Sequence, residues 1–173
     1  GVGLEVILKT FSDKRMLELC TPIIFASNQL LSDYKKSLKI ELSTFSIKSI
    51  DKVQAGKINV LNVWNETVPL NLGVENESGG EYAFKSLEAA VKNLSKAEID
   101  LLLTAPINKH NIQSDKFNFQ GHTEYLEANL KGESLMTKQR THLTKLANPN
   151  LKDRELMQLT GASQRLINEI NNY

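Results

Sequence analysis

Between Leu4 and Leu19 the apolar residues stand at 4, 7, 8, 11, 16 and 19, a helical spacing that Ser12-Asp13 interrupts. Pro22-Ile23-Ile24-Phe25-Ala26 is a short apolar run and predicts a buried strand, followed by a helix over 28–36. Ile40 to Phe45 alternates apolar and polar residues, as does Ile58 to Trp64, and both predict strands. Gly79-Gly80 precedes the clearest helical pattern, in which Ala83, Leu87, Ala90, Val91 and Leu94 share one face. The run Ile99-Asp100-Leu101-Leu102-Leu103 predicts a further strand, closed by Thr104-Ala105-Pro106. A helix leading into a buried strand is half of a β-α-β unit. Several such units predict the α/β class, with a mostly parallel sheet and flanking helices.

The pattern changes near Met136. Residues 134–150 show no sustained period. Residues 151–170 then carry two short helical patterns, the first with Leu151, Leu156 and Leu159 inward, the second with Leu166, Ile167 and Ile170 inward. Gly161 between them supplies a turn residue and Ser163 a possible N-cap. The organisation expected is an α/β domain over 1–136 and a short all-helical tail over 137–173.

Charge follows the same division. The tail holds six Lys/Arg and three Asp/Glu, a net of +3, and the first 136 residues hold 15 and 17, a net of −2. The sum over 173 residues, +1, argues against a binder that uses its whole surface on nucleic acid or membrane. No apolar run approaches the roughly 20 residues of a membrane span. The lone cysteine, Cys20, has no internal partner for a disulfide, which makes a reducing cytoplasm the expectation. The start, Gly1-Val2-Gly3-Leu4-Glu5, lacks the basic opening of a signal peptide and an initiator Met, so the chain is expected to begin inside a longer protein.

In α/β sheets ligands bind beyond the carboxyl ends of strands. That draws attention to Thr104-Ala105-Pro106-Ile107-Asn108-Lys109-His110 and, after a short loop, to Gly121-His122-Thr123-Glu124-Tyr125-Leu126. Lys109 offers an ammonium and Asn108 an amide. Gly121 allows close backbone approach ahead of a helix starting near Thr123. His122 and Thr123 then stand at a helix N-terminus, where N–H groups and the dipole favour an anion such as phosphate. The alternatives are plain ones: Thr123 as an N-cap, Lys109 as a solvated lysine, and Pro106 as a strand terminator.

These two segments, Thr104 to Lys109 and Gly121 to Leu126, resemble the paired signature of the 4-hydroxythreonine-4-phosphate dehydrogenases of pyridoxal phosphate biosynthesis. Gly1-Val2-Gly3-Leu4-Glu5-Val6-Ile7 resembles the end of that family's opening glycine-rich motif, and the resemblance covers about residues 1–136. It implies an isocitrate/isopropylmalate dehydrogenase-like fold, here incomplete, in a homodimer whose active site lies between two domains. It also implies oxidation of a phosphorylated hydroxythreonine by NAD or NADP, then decarboxylation to 3-amino-2-oxopropyl phosphate, with a divalent metal held by histidines. The family's substrate contacts map to His122 and Thr123, and Lys109 matches a motif position.

The chain departs from the family pattern in two places. The strand before Gly1 and the first half of its motif have no counterpart. After Met136 the family's metal-ligand segment is replaced by Lys138-Gln139-Arg140-Thr141-His142-Leu143. His142 is the candidate metal ligand there, against the alternative of a solvated basic loop. The three histidines, at 110, 122 and 142, do not rebuild the family's metal site. The expectation is a fragment that does not turn over substrate alone, or a non-catalytic remnant.

Leu159-Thr160-Gly161-Ala162-Ser163 resembles the turn of bacterial helix-turn-helix regulators. That likeness places Ser163, Gln164, Arg165 and Asn168 toward a DNA major groove. A helical hairpin that packs on something has the same pattern.

Overall fold

The computed structural model describes residues 2–130, 135–160, 162 and 164–171, with the backbone alone for 135–140 and 169. The chain divides into two compact units, Gly1–Phe117 and Asn118–Tyr173. The division falls ahead of the change of sequence character near Met136.

The first unit is α/β. It opens with α1 (Gly3–Phe11) and α2 (Met16–Leu19). The predicted break between them is real: the Ser12 hydroxyl turns back onto the Leu8 carbonyl at 2.8 Å, and Asp13 receives the Arg15 amide and guanidinium. Three strands follow: β1 (Ile23–Ala26), β2 (Phe45–Ile47) and β3 (Asn59–Asn62). All pair in parallel, in the order β1-β3-β2. A parallel pair needs a crossover rather than a hairpin. Helix α3 (Asn28–Leu38) connects β1 to β2 on the far side of β3, and the connection of the adjacent pair β2 and β3 contains a short 3-10 turn at Ile50–Lys52. Leu8, Ile24, Ala26, Leu31, Tyr34, Ile58, Val60 and Trp64 form the buried core beneath α1, α3 and the sheet. Asn59 is buried among them because its side chain is satisfied: it accepts from the Gln54 amide and donates to the Gln54 and Lys57 carbonyls.

Two strand expectations are corrected. Of the strand expected over Ile40–Phe45 only Phe45 is in β2, which runs on to Ile47. Lys39 ends α3 in the left-handed conformation, and Ile40 returns its amide to the Lys35 carbonyl. The Lys35 ammonium then takes the Leu42 carbonyl at 3.0 Å, so this stretch spends its polar groups on the helix end. Ile40 and Leu42 still pack on the core. The run Ile99–Leu103 joins no strand pairing among the described residues. Its alternate leucines, Leu101 and Leu103, are 80% and 90% exposed.

Helix α4 (Glu77–Ser95) packs on β1; of the face read from its periodicity Leu87, Ala90 and Val91 are buried and Ala83 and Leu94 half-buried, and Phe84, outside that spacing, is buried with them. Gly79 and Gly80 fall inside its first turn rather than ahead of it.

The second unit is helical: α5 (His122–Asn129), α6 (Leu135–Ala147), α7 (Asp153–Thr160) and α8 (Gln164–Asn171). Helix α6 agrees with the expected all-helical tail, although residues 134–150 show no sustained hydropathy period. It contacts α5, α7 and α8, and its buried side chain among those described is Thr141, a polar residue that hydropathy spacing does not mark. Leu156, Ala162, Leu166, Ile167 and Ile170 form this unit's own core. Leu159, expected inward, is 57% exposed. The expected turn and cap residues, Gly161 and Ser163, lie outside the described residues. Among the described residues no helix is long and apolar enough to cross a membrane.

Candidate functional site

The Thr104–His110 segment is a loop shaped by short-range amide chemistry. The Asn108 side-chain carbonyl accepts the amides of His110 (2.9 Å) and Asn111 (3.1 Å), and its main-chain carbonyl accepts that of Ile112. An asparagine folding its side chain back on the amides ahead of it builds a turn without a helix. Ile112 and Phe117 are fully buried, and Phe117 meets Phe84 of α4 edge to face at 5.8 Å. The loop is thereby anchored behind Lys109.

Two glycine contacts hold the loop in front and at the side. A Cβ on Gly3 would stand 3.1 Å from the Pro106 carbonyl oxygen and 3.3 Å from the Ala105 Cβ. The glycine-rich start and the Thr-Ala-Pro segment, far apart in sequence, are therefore in contact. A Cβ on Gly80 would stand 1.8 Å from the Asn111 carbonyl oxygen, so α4 runs against the loop backbone with no room for any side chain there. Between these contacts Asn76, the N-cap of α4, accepts the Gly79 amide at 2.7 Å through its side chain. Its main-chain carbonyl accepts the Asn111 side-chain amide at 2.6 Å. His110 Nδ1 lies 3.0 Å from Glu75 beside this bond.

Lys109 is exposed, and among the described residues its ammonium makes no ion pair. Its main-chain carbonyl accepts the Gln113 side-chain amide at 3.2 Å. In the second unit His122 and Thr123 are the first two residues of α5, both half-buried. Gly121 occupies the N-cap position, which corrects the alternative of Thr123 as the cap; no side-chain cap bond forms. Tyr125, one turn on, is buried edge to face on Phe119 at 5.3 Å and fixes the helix start.

The donor set does not fit a histidine-held metal. His142 is exposed on α6, a helix and not the basic loop weighed for it. His110 is 93% exposed. Among the described residues no group of three His, Cys, Asp or Glu side chains stands close enough to hold an ion.

Sequence reasoning did not anticipate a groove of about 590 Å³ at the carboxyl ends of β2 and β3, lined in part by Lys48, Asp51, Asn62, Lys92, Asn93 and Lys96. Its lining includes none of Lys109, His122 or Thr123. Lys92 stands in the last turn of α4, where cations complement the helix dipole without any ligand. At the same sheet end Asn28 donates its amide to Asn62 and its side chain to Ser46, tying the three strands together.

The helical tail carries its own geometry. Gln164, Arg165 and Asn168 are exposed on α8, with Leu166, Ile167 and Ile170 buried on the opposite face. Gln164 donates to Asn168 at 3.1 Å. At the far ends of the pair, Asn171 of α8 donates to Asp153 of α7 at 3.2 Å. Helices splayed at roughly 90–120°, as in DNA-binding helix-turn-helix units, separate those ends. The contact favours the helical hairpin. Ser163 lies outside the described residues.

Residues 18–150 match the family model described as pyridoxal phosphate biosynthetic protein PdxA. The 4-hydroxythreonine-4-phosphate dehydrogenase of Bacteroides thetaiotaomicron is 41% identical over 130 residues, covering 75% of this chain and 36% of that protein. A Fusobacterium nucleatum protein named "Putative D-threonate 4-phosphate dehydrogenase" is 30% identical over 129 residues, covering 73% of this chain and 39% of its own length. A Clostridium botulinum protein of the same name is 29% identical over the same span. The chain spans little more than a third of the length of these curated relatives.

Proposed function

Because the chain belongs to the family of the pyridoxal phosphate biosynthetic protein PdxA, we propose that it carries part of the phosphorylated-substrate site of a dehydrogenase. The reaction proposed for the whole protein is oxidation of 4-phosphohydroxythreonine by NAD or NADP and decarboxylation to 3-amino-2-oxopropyl phosphate, with a divalent metal. The homodimer and the cytoplasmic setting belong to the same proposal. The same proposal has the chain by itself bind substrate without turning it over.

The observation that carries the reading is the anchored loop. Thr104 to Lys109 is braced by Gly3 and packed behind by Ile112, while the Lys109 ammonium stays exposed to a ligand. Lys109 supplies a charge-assisted bond to a phosphate oxygen. His122 and Thr123 supply side chains in the first turn of a helix, where backbone N–H groups and the dipole favour an anion. The named relatives support a four-carbon phosphoester as the ligand class, since both names place a phosphate on C4. The two substrates differ in carrying an amine or a hydroxyl on C2. The greater identity to the Bacteroides relative supports the amino acid.

The test is nicotinamide reduction followed by absorbance with 4-phosphohydroxythreonine and added divalent metal. The expected result is no steady turnover by the chain alone. Sustained reduction would overturn the reading of it as a binding part.

A further inference from the structure

We infer that Asn111 is a positioning residue for Lys109, acting through its bond to the Asn76 carbonyl; this rests on the proposed role of Lys109 in holding the substrate phosphate. Asn111 is fixed from three directions. Its side-chain amide donates to Asn76 at 2.6 Å. Its main-chain amide donates to the Asn108 side chain. Its carbonyl lies against the bare Cα of Gly80, in space that no other residue type would leave.

The fixed point is two residues from Lys109, and the intervening chain is short of freedom. Asn108 binds the amides of both His110 and Asn111. Gln113 holds the Lys109 carbonyl. The backbone of 108–112 is thus referenced to the N-terminus of α4, and the flexible part of Lys109 is its side chain alone. A long lysine side chain gives up rotamer freedom on binding, so a fixed Cα lowers what remains to be ordered. Loss of the Asn111 side-chain bond leaves the cap of α4 in place, because the Gly79 amide keeps both the Asn76 side chain (2.7 Å) and the Asn76 carbonyl (3.2 Å), neither of which Asn111 supplies.

The discriminating variant is Asn111→Asp, which keeps size and shape and removes the donor. Inorganic phosphate is titrated into the intact chain, and the Lys109 Cε–Hε signal is followed by NMR after assignment with Lys109→Gln. The control is Asn93→Asp, which removes a comparable bond to the Ala89 carbonyl (2.7 Å) at the other end of the same helix. The expected result is a loss of about tenfold in phosphate affinity for Asn111→Asp. Asn93→Asp stays within about twofold of the unsubstituted chain. Amide hydrogen exchange over 108–112 rises in the first variant alone. If Asn111→Asp does not fold, Gln113→Ala, an exposed change that frees the Lys109 carbonyl, gives a smaller loss in the same direction.

Unchanged affinity in Asn111→Asp, or equal losses in both variants, overturns the positioning role and leaves the substrate reading standing. No shift at Lys109 in the unsubstituted chain overturns the substrate reading, and the positioning role with it.

Discussion

Gly80 of α4 and the carbonyl oxygen of Asn111 share one space: a Cβ built on the glycine would sit 1.8 Å from that oxygen. A helical glycine costs about 1 kcal/mol relative to alanine. The sequence accepts that cost in the first turn of its longest helix because the obstacle is backbone, which cannot rotate away.

Gly80→Ala should therefore destabilise the chain despite its better helix propensity. Overpacking costs about 1–3 kcal/mol, and a fixed carbonyl belongs at the upper end. Set against the propensity gain of about 1 kcal/mol, the net loss is about 2 kcal/mol. Urea unfolding followed by Trp64 fluorescence checks it, since Trp64 is buried against Tyr82 at 4.8 Å. An unchanged midpoint would mean that the loop does not rest on α4.

The cap below that contact is the next point of attack. Asn76→Ala removes the side-chain acceptor of the Gly79 amide and should cost about 1 kcal/mol. Asn76→Asp keeps the acceptor oxygen and adds a charge favourable to the helix N-terminus, so it should retain most of the stability. The same urea midpoints separate the two.

The charges beside Trp64 and Tyr82 predict a stability profile with two limbs. The Glu66 carboxyl is held below the ordinary carboxylate range, first by its own backbone amide and then by Lys85. A lowered folded value contributes stability above the ordinary Glu value of about 4.3 and loses it as pH falls through the folded value. The Lys85 ammonium is pushed up by Glu81 and then Glu66. That contribution is complete below the ordinary Lys value of about 10.4 and disappears as pH rises through the folded value. Glu66→Gln should flatten the acid limb of Tm against pH and weaken the alkaline one, leaving the Glu81 partner of Lys85 in place. An acid limb unchanged by the substitution would contradict this.

Much of this fold was legible in the chain. The face of α4 follows from the spacing of Leu87, Ala90 and Val91, and the break near Ser12 from an interrupted period. The misreadings share a cause: they concern partners that local pattern does not contain. Leu101 and Leu103 alternate like a strand, but a strand exists only where a neighbour pairs with it. Helix α6 turns Thr141 inward, so hydropathy spacing did not reveal its period. As candidates, Lys109 in the first unit and His122 and Thr123 in the second were visible through their motifs. Asn76 and Asn111 were not, because a bond between residues 35 positions apart leaves no local trace. The usable signal was the Gly79-Gly80 pair directly before the helical pattern of Ala83 to Leu94, since such glycines permit a close approach.

The tail offers a sharp negative expectation. The bond of Asn171 to Asp153 across the ends of α7 and α8 favours a helical hairpin over a DNA-binding unit. Fluorescence anisotropy of a labelled duplex DNA should show no binding at about 50 mM salt, where phosphate contacts are strongest. Binding that weakens with salt and is lost in Arg165→Ala would restore the regulator reading.

The account stands most directly on one calorimetric titration of the chain with 4-phosphohydroxythreonine. It predicts saturable binding that Lys109→Gln weakens by about tenfold, the worth of one charge-assisted bond. No binding by the unsubstituted chain, or equal affinity in both, would contradict it.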